Sequence, residues 1–175
     1  DSDFPELLAR MGARVGSAAE GLTIQGSARL KPILADMSDM PDAAVTLAVL
    51  AAFADGTSVI RGVRTLRVKE SDRIEALRVE LAKVGVAVTS DVKTDPDAMT
   101  VSPPEGGIDC GPGASRVEFD TYKDHRMAMA LSLIGLRRPN VWIRDPGCVD
   151  KTFPTYWAEL ARLRAASRVG RASRE

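Results

Sequence analysis

Aromatic residues make up only 5% of this 175-residue chain, cysteine occurs twice, histidine once, and the net charge is zero. Balanced charge and scarce aromatics argue against a nucleic-acid surface, which needs a basic footprint and stacking platforms. Cys110 and Cys148 have no CxxC spacing, and one histidine does not complete a zinc set with them. Free thiols and no metal are therefore expected. No apolar run approaches the ~18 residues that a membrane span needs. The opening DSDFPELLAR lacks the basic-then-apolar order of a secretory leader. These absences predict a soluble, cytoplasmic domain with neither a membrane nor a nucleic acid as partner.

What is present is enough apolar material, 45% of residues, to bury a core in one domain of ordinary size. In SDMPDAAVTLAVLAAFADG, Pro41 suits a first helical turn and Gly56 a stop, so a buried helix is expected over about 42–54. TSVIRGV follows as a β-branched strand, and IEALRVELAKVG as a helix ending at Gly85. VAVTS and AMTVSPP read as a hairpin around the turn residues Asp95, Pro96 and Asp97. SRVEFDTY is then a strand, DHRMAMALSLIGL an apolar helix and NVWIRD a short strand. The last element, DKTFPTYWAELARL, is an amphipathic helix with Phe153, Tyr156, Trp157 and Leu160 on its apolar side. Residues 164–175, arginines among small residues, are expected to form a basic, disordered tail.

The chain repeats itself. The 27-residue step from Asp42 to Lys69 recurs from Asp124 to Lys151, with an Asp opening each apolar helix and a Lys just past each strand. A third, partial copy superposes LLARMGARV at 7–15 on ELAKVGVAV at 80–88, aligning Gly12 with Gly85. That offset puts the helix and strand of the first copy ahead of residue 1, so the chain is expected to start inside a repeat.

The stretch RVKESDRIEAL, residues 67–77, packs six charged side chains in front of an apolar-periodic run. One reading is a solvated helix start, since Glu70, Ser71 and Asp72 suit a helix N-terminus. The other is a working site. The repeat sets Lys69, Glu70 and Arg73 at one strand-to-helix junction and Lys151 at the other. Asp42, Asp124, His125 and Arg126 fall at helix starts. Junctions of a repeated fold lie at one end of the domain. Arginine forks grip carboxylates and phosphates, lysines act as point charges for phosphate, and carboxylates supply acid and base. That constellation suits group transfer on a phosphorylated, carboxylated substrate. Two other readings remain: a non-catalytic anion-binding or structural piece of the same fold, and for His125 a buried structural imidazole.

The motifs SDMPDAA, LRVKESDRIEAL, YKDHRMAMAL and DPGCVDKTFPTYW, in this order and at these separations, closely resemble the 5-enolpyruvylshikimate-3-phosphate synthase family. The resemblance covers nearly the whole chain. It implies an α/β (α+β) fold, an inside-out α/β barrel of the enolpyruvyl transferase type. That barrel is built from βαβαββ repeats, the first of them incomplete here. Residues 1–163 then correspond to most of the family's C-terminal domain, and the N-terminal domain is a missing partner. The implied reaction moves the enolpyruvyl group of phosphoenolpyruvate to the 5-hydroxyl of shikimate 3-phosphate and releases phosphate, with no cofactor. The resemblance places this step in aromatic amino-acid biosynthesis and makes the family's inhibitor glyphosate a ligand of the same cations.

Carried over by position, Asp42 resembles the carboxylate on the shikimate hydroxyls and candidate base. Lys69 resembles the contact near the 5-hydroxyl, and Glu70 the group that gives and takes the proton at the phosphoenolpyruvate methylene. Arg73 and Arg126 resemble the clamp on the phosphoenolpyruvate carboxylate and Lys151 the lysine on its phosphate side; His125, next to Arg126, is a further candidate for binding the substrate. Thr65 stands where many members of the family carry an asparagine that bonds the shikimate substrate. A hydroxyl there is shorter and offers no amide.

Overall fold

The computed structural model describes residues 2–19, 21–91 and 93–172. In chain order come α1 (Phe4–Arg10), β1 (Arg14–Ala18), β2 (Gly21–Gln25), β3 (Leu34–Asp36), α2 (Ala44–Ala51) and β4 (Ser58–Arg61). They are followed by α3 (Arg73–Ala82), β5 (Ala87–Thr89), β6 (Ala98–Ser102), β7 (Val117–Phe119), α4 (His125–Ser132), β8 (Val141–Ile143) and α5 (Tyr156–Ala172). The run β3-α2-β4-α3-β5-β6 is one complete βαβαββ unit. The run β7-α4-β8-α5 repeats its first four elements, and α1-β1-β2 matches its last three. Gly12 and Gly85, aligned by sequence, both take positive φ, 105° and 82°, at the same helix-to-strand turn.

The complete unit forms a four-stranded sheet in the order β3-β4-β6-β5. β3 and β4 run parallel with Leu34 opposite Val59, whereas β6 is antiparallel to both β4 and β5. β7 and β8 make a second parallel pair with Val117 opposite Val141. Parallel pairing needs a crossover, and here each crossover is a helix. The strands alternate in burial: Ala35 is 2% exposed while its neighbour Leu34 is 62% exposed. One face of the four-stranded sheet therefore covers the helices and the other meets solvent, whereas β2 of the β1–β2 pair is exposed along its whole length.

α2 explains the centre. Its sequence, AVTLAVLA, buries six of eight residues, which suits a helix surrounded by other elements rather than one at a surface. It packs on α4, whose Met127, Ala128, Ala130 and Leu131 are buried. Small alanines let these helices approach closely while Leu47, Leu77, Leu81, Met99 and Phe119 fill the space around them.

Four boundaries differ from expectation. The helix expected over 42–54 divides into a 3-10 turn, Pro41–Ala43, and α2 proper. It ends early because Ala54 turns away to bridge Leu30. The final helix begins at Tyr156, not at Asp150, because Pro154 lacks an N–H and disfavours helical backbone at Phe153. Its backbone then stays helical to Ala172, through most of the stretch read as a tail, and residues 173–175 lie outside the described part. Both cysteines are free. Among the described residues no helix is long and apolar enough to cross a membrane.

Candidate functional site

The segment 67–77 satisfies both readings of its charges. Asp72 is the N-cap of α3, its side chain accepting the Glu75 N–H at 3.0 Å. That is the helix-start role, and it frees the flanking residues for another task. Glu70 lies ahead of the cap and Arg73 on the first helical turn, and Arg73 points inward, only 1% exposed.

A buried guanidinium must find acceptors for its fork, and Arg73 finds three carboxylates. Its Nε donates to Asp124 Oδ2 at 2.8 Å, and Nη2 reaches Asp124 Oδ1 at 3.2 Å. Nη1 donates to Asp42 Oδ1 and Nη2 to Glu70 Oε2, each at 2.8 Å. The two aspartates that the sequence repeat made equivalent are thus joined through one arginine. Asp124 is fully buried, caps α4 by accepting the Arg126 N–H at 2.9 Å, and accepts the Ser71 hydroxyl at 3.0 Å.

The remaining cations stand around this core. Arg126 Nη2 lies 3.3 Å from Asp42 Oδ2, and Lys69 Nζ 3.4 Å from Asp42 Oδ1. Lys151 Nζ is 4.0 Å from Glu70 Oε1. The side chains of Asp42, Lys69 and Arg126 are about one-third exposed (32%, 32% and 35%), enough to face a ligand while anchored. Three carboxylates against four cations leave this patch net positive. It is therefore suited to an anion.

Protonation follows from the contacts. Burial acts to raise the Asp124 carboxyl, but the Arg73 hydrogen bond and charge, with the Arg126 N–H and Ser71 hydroxyl, outweigh it and hold the group below its ordinary value. Asp42 behaves alike: burial raises it, and Arg126, Arg73 and Lys69 together pull it lower. Burial pushes His125 below the usual imidazole value, aided by Lys151 and Arg126 and opposed by Asp124 and Glu70. Its Nδ1 is buried without a hydrogen-bond partner, 3.8 Å from Glu70 and 3.9 Å from Asp124. At those distances, and uncharged at neutral pH, it forms no ion pair with either.

Seven of the eight residues singled out in the sequence meet here: Asp42, Lys69, Glu70, Arg73, His125, Arg126 and Lys151. Thr65 is exposed on the 3-10 turn Arg64–Val68, with no side-chain partner among the described residues. The sequence placed Asp124 among the charges at helix starts but gave it no role, and Ser71 was left out. The signal for Asp124 was there, in its equivalence to Asp42; Ser71 carried none beyond its place in a charged run. An open cleft of about 620 Å³ meets the cluster at Glu70 and Ser71; Asp72, Asp120, Asp145, Lys123 and Arg144 also wall it, so this cleft is acidic on balance and the four cations of the cluster lie outside it.

Residues 2–160 match the family described as EPSP synthase (3-phosphoshikimate 1-carboxyvinyltransferase). The chain is 47% identical over 171 residues to 3-phosphoshikimate 1-carboxyvinyltransferase of Thiobacillus denitrificans, a match that takes in 93% of this chain and 37% of that protein. The protein of the same name in Syntrophobacter fumaroxidans is 42% identical, with 94% and 37% covered. The chain thus spans about 37% of the length of these relatives. Among solved structures it is similar to EPSP synthase of Acinetobacter baumannii, with a TM-score of 0.71, 31% identity, and 91% of this chain and 38% of that one covered. It is also similar to the enolpyruvyl transferase NikO of Streptomyces tendae, with a TM-score of 0.67, 26% identity, and 93% and 35% covered.

Proposed function

The chain belongs to the EPSP synthase family, and on that premise we propose that it supplies one half of a cleft that transfers the enolpyruvyl group of phosphoenolpyruvate to the 5-hydroxyl of shikimate 3-phosphate. Its fold is the α/β architecture of the enolpyruvyl transferases. The observation that carries the reading is the convergence of Asp42, Glu70 and Asp124 on Arg73, with Lys69, Arg126 and Lys151 ranged around those carboxylates on one partly open patch. The other half of the cleft comes from the family's N-terminal domain. The reaction belongs to aromatic amino-acid biosynthesis, and glyphosate would occupy the same cations.

In this scheme the 5-hydroxyl oxygen bonds to C2 of phosphoenolpyruvate while a proton adds to C3, giving a tetrahedral intermediate. The C2–O bond to phosphate then breaks, a proton leaves C3, and the enolpyruvyl ether and inorganic phosphate result. Asp42 takes the hydroxyl proton, with Lys69 beside it, and Glu70 gives and then recovers the C3 proton. Arg126 and Arg73 hold the substrate carboxylate, and Lys151 meets the phosphate. Arg73 already carries three carboxylates, so its part is chiefly to fix Asp42 and Glu70 against each other, and Arg126 is the freer fork. His125 packs behind them as an uncharged imidazole.

The test grafts this chain in place of the matching segment of the Thiobacillus denitrificans relative and follows phosphate release. Release that requires both phosphoenolpyruvate and shikimate 3-phosphate supports the reading. A folded graft that releases none leaves the anion-binding scaffold as the better account.

A further inference from the structure

Just ahead of the buried Asp124 the backbone adopts a shape its residues do not favour. Tyr122 and Lys123 are consecutive, neither is glycine, and both have positive φ, 55° and 57°. Such a pair persists only where the surroundings over-determine it. Here the restraint comes from α3. Glu80, 1% exposed, accepts the Asp120 N–H on Oε2 at 2.8 Å and the Tyr122 hydroxyl on Oε1 at 2.9 Å. Lys83 places its ammonium 2.6 Å from Glu80 Oε2 and also donates to the Glu118 carbonyl at 3.0 Å. The turn adds its own bonds, Tyr122 N–H to Asp120 Oδ1 at 2.9 Å and Asp124 N–H to the Thr121 carbonyl at 2.8 Å.

The far side of the turn is held by the same helix. Arg73 and Glu80 are seven residues apart on α3, two helical turns, and so share one face. Arg73 holds Asp124 on one side of the Tyr122–Lys123 pair, and Glu80 holds Asp120 and Tyr122 on the other. A single rigid element therefore grips the turn at both ends. What the turn delivers is the start of α4: Asp124, His125 and Arg126.

We infer that Glu80 is a positioning residue for this site: by clamping the turn 120–123 to α3, it fixes the direction in which Asp124, His125 and Arg126 enter the cluster. The inference concerns geometry, and only its kinetic consequence rests on the proposed transfer reaction. Glu80 acts through the backbone of the turn and not as a proton donor or acceptor in the chemistry. Release of the clamp lets Tyr122 and Lys123 relax toward negative φ, which swings the Asp124 cap away from Arg73 and loosens the packing over His125.

The test exploits the chain's single histidine, whose ring resonance needs no assignment. Its titration is followed by NMR in the 175-residue chain for the unaltered sequence, Glu80→Gln, Lys123→Gly and the double variant. Glu80→Gln is expected to move the His125 midpoint up toward that of a free imidazole. Lys123→Gly alone is expected to leave it in place. In the double variant the midpoint returns part of the way, because glycine at 123 accepts positive φ without steric cost while Tyr122 keeps its strain. In the grafted enzyme, Glu80→Gln lowers kcat/KM by roughly 10- to 100-fold, as remote misplacement of catalytic groups does. The glycine restores part of the loss. If Glu80→Gln does not fold, Tyr122→Phe removes one bond of the clamp, and a smaller shift in the same direction is expected.

A Glu80→Gln protein that melts lower yet keeps the original His125 titration and kcat/KM overturns the inference. So does a double variant no better than Glu80→Gln, or an unshifted Tyr122→Phe. A graft inactive in every form, with the His125 shift and its glycine rescue intact, refutes the transferase reading and upholds the positioning role.

Discussion

Arg73 Nε and Asp124 Oδ2 lie 2.8 Å apart with both side chains essentially removed from solvent, 1% and 0% exposed. They come from separate βαβα units, so this contact ties the two units together as well as organising the charged cluster. Removing the arginine leaves a buried carboxylate without its counter-charge. Arg73→Ala is expected to lower unfolding free energy by about 3–5 kcal/mol, read from urea unfolding of the chain.

Acid should act on the fold in two stages. His125 has a folded value below its ordinary 6.5, so the unfolded chain takes up its proton first. Its contribution to stability is complete above pH 6.5 and falls as the pH drops from there toward the folded value. Asp124 and Asp42 are also held below their ordinary 3.8, so their contribution is complete above that pH and is lost as the pH falls below it, through their folded values. Urea midpoints measured from pH 8 down to 3 should therefore fall gently from about pH 6.5 and steeply below about pH 4. His125→Gln should remove the first decline and keep the second.

Gly62 controls the loop that leads to Asp42. At φ 73° its Cα faces Ser38 so closely that an added methyl would overlap the Ser38 amide nitrogen and stand 2.6 Å from its hydroxyl oxygen. That serine is held in place by Asp36 Oδ1, which accepts its N–H at 2.9 Å. Gly62→Ala combines left-handed backbone strain with overpacking and should cost roughly 2–5 kcal/mol. Thermal and urea unfolding both measure this, and a drop in Tm without loss of cooperativity is expected.

Glu70 should separate chemistry from folding. Its side chain is 39% exposed and shares Arg73 with two other carboxylates, so replacing it leaves the buried pair intact. In the grafted enzyme Glu70→Gln is expected to reduce kcat by roughly 100- to 10,000-fold, the usual contribution of a general acid or base. Its circular dichroism spectrum and Tm should stay close to those of the unaltered graft.

The repeat was legible because it is written in local patterns. The 27-residue spacing of Asp42 to Lys69 and Asp124 to Lys151, and the Gly12 and Gly85 turns, appear in the fold as equivalent elements. The cluster was legible as a set of charges but not as a network. That Arg73 would be saturated by Asp42, Glu70 and Asp124 depends on partners as far as 51 residues away, which no local window contains. The Tyr122–Lys123 turn was hidden for a related reason. Positive φ at such residues is unfavourable locally and is imposed by Glu80 from another element. The late start of α5 was readable from Pro154 and was missed because the apolar period runs on through it.

NMR detection of the enolpyruvyl ether formed from phosphoenolpyruvate and shikimate 3-phosphate by the grafted enzyme, beside an Arg126→Ala graft shown to be folded, tests the transfer itself. The unaltered graft is expected to form the ether with an equal amount of phosphate, and the variant to lose at least about 100-fold in rate. An unaltered, folded graft that forms no ether, or an Arg126→Ala graft that forms it at an undiminished rate, would contradict the proposed transfer at this site.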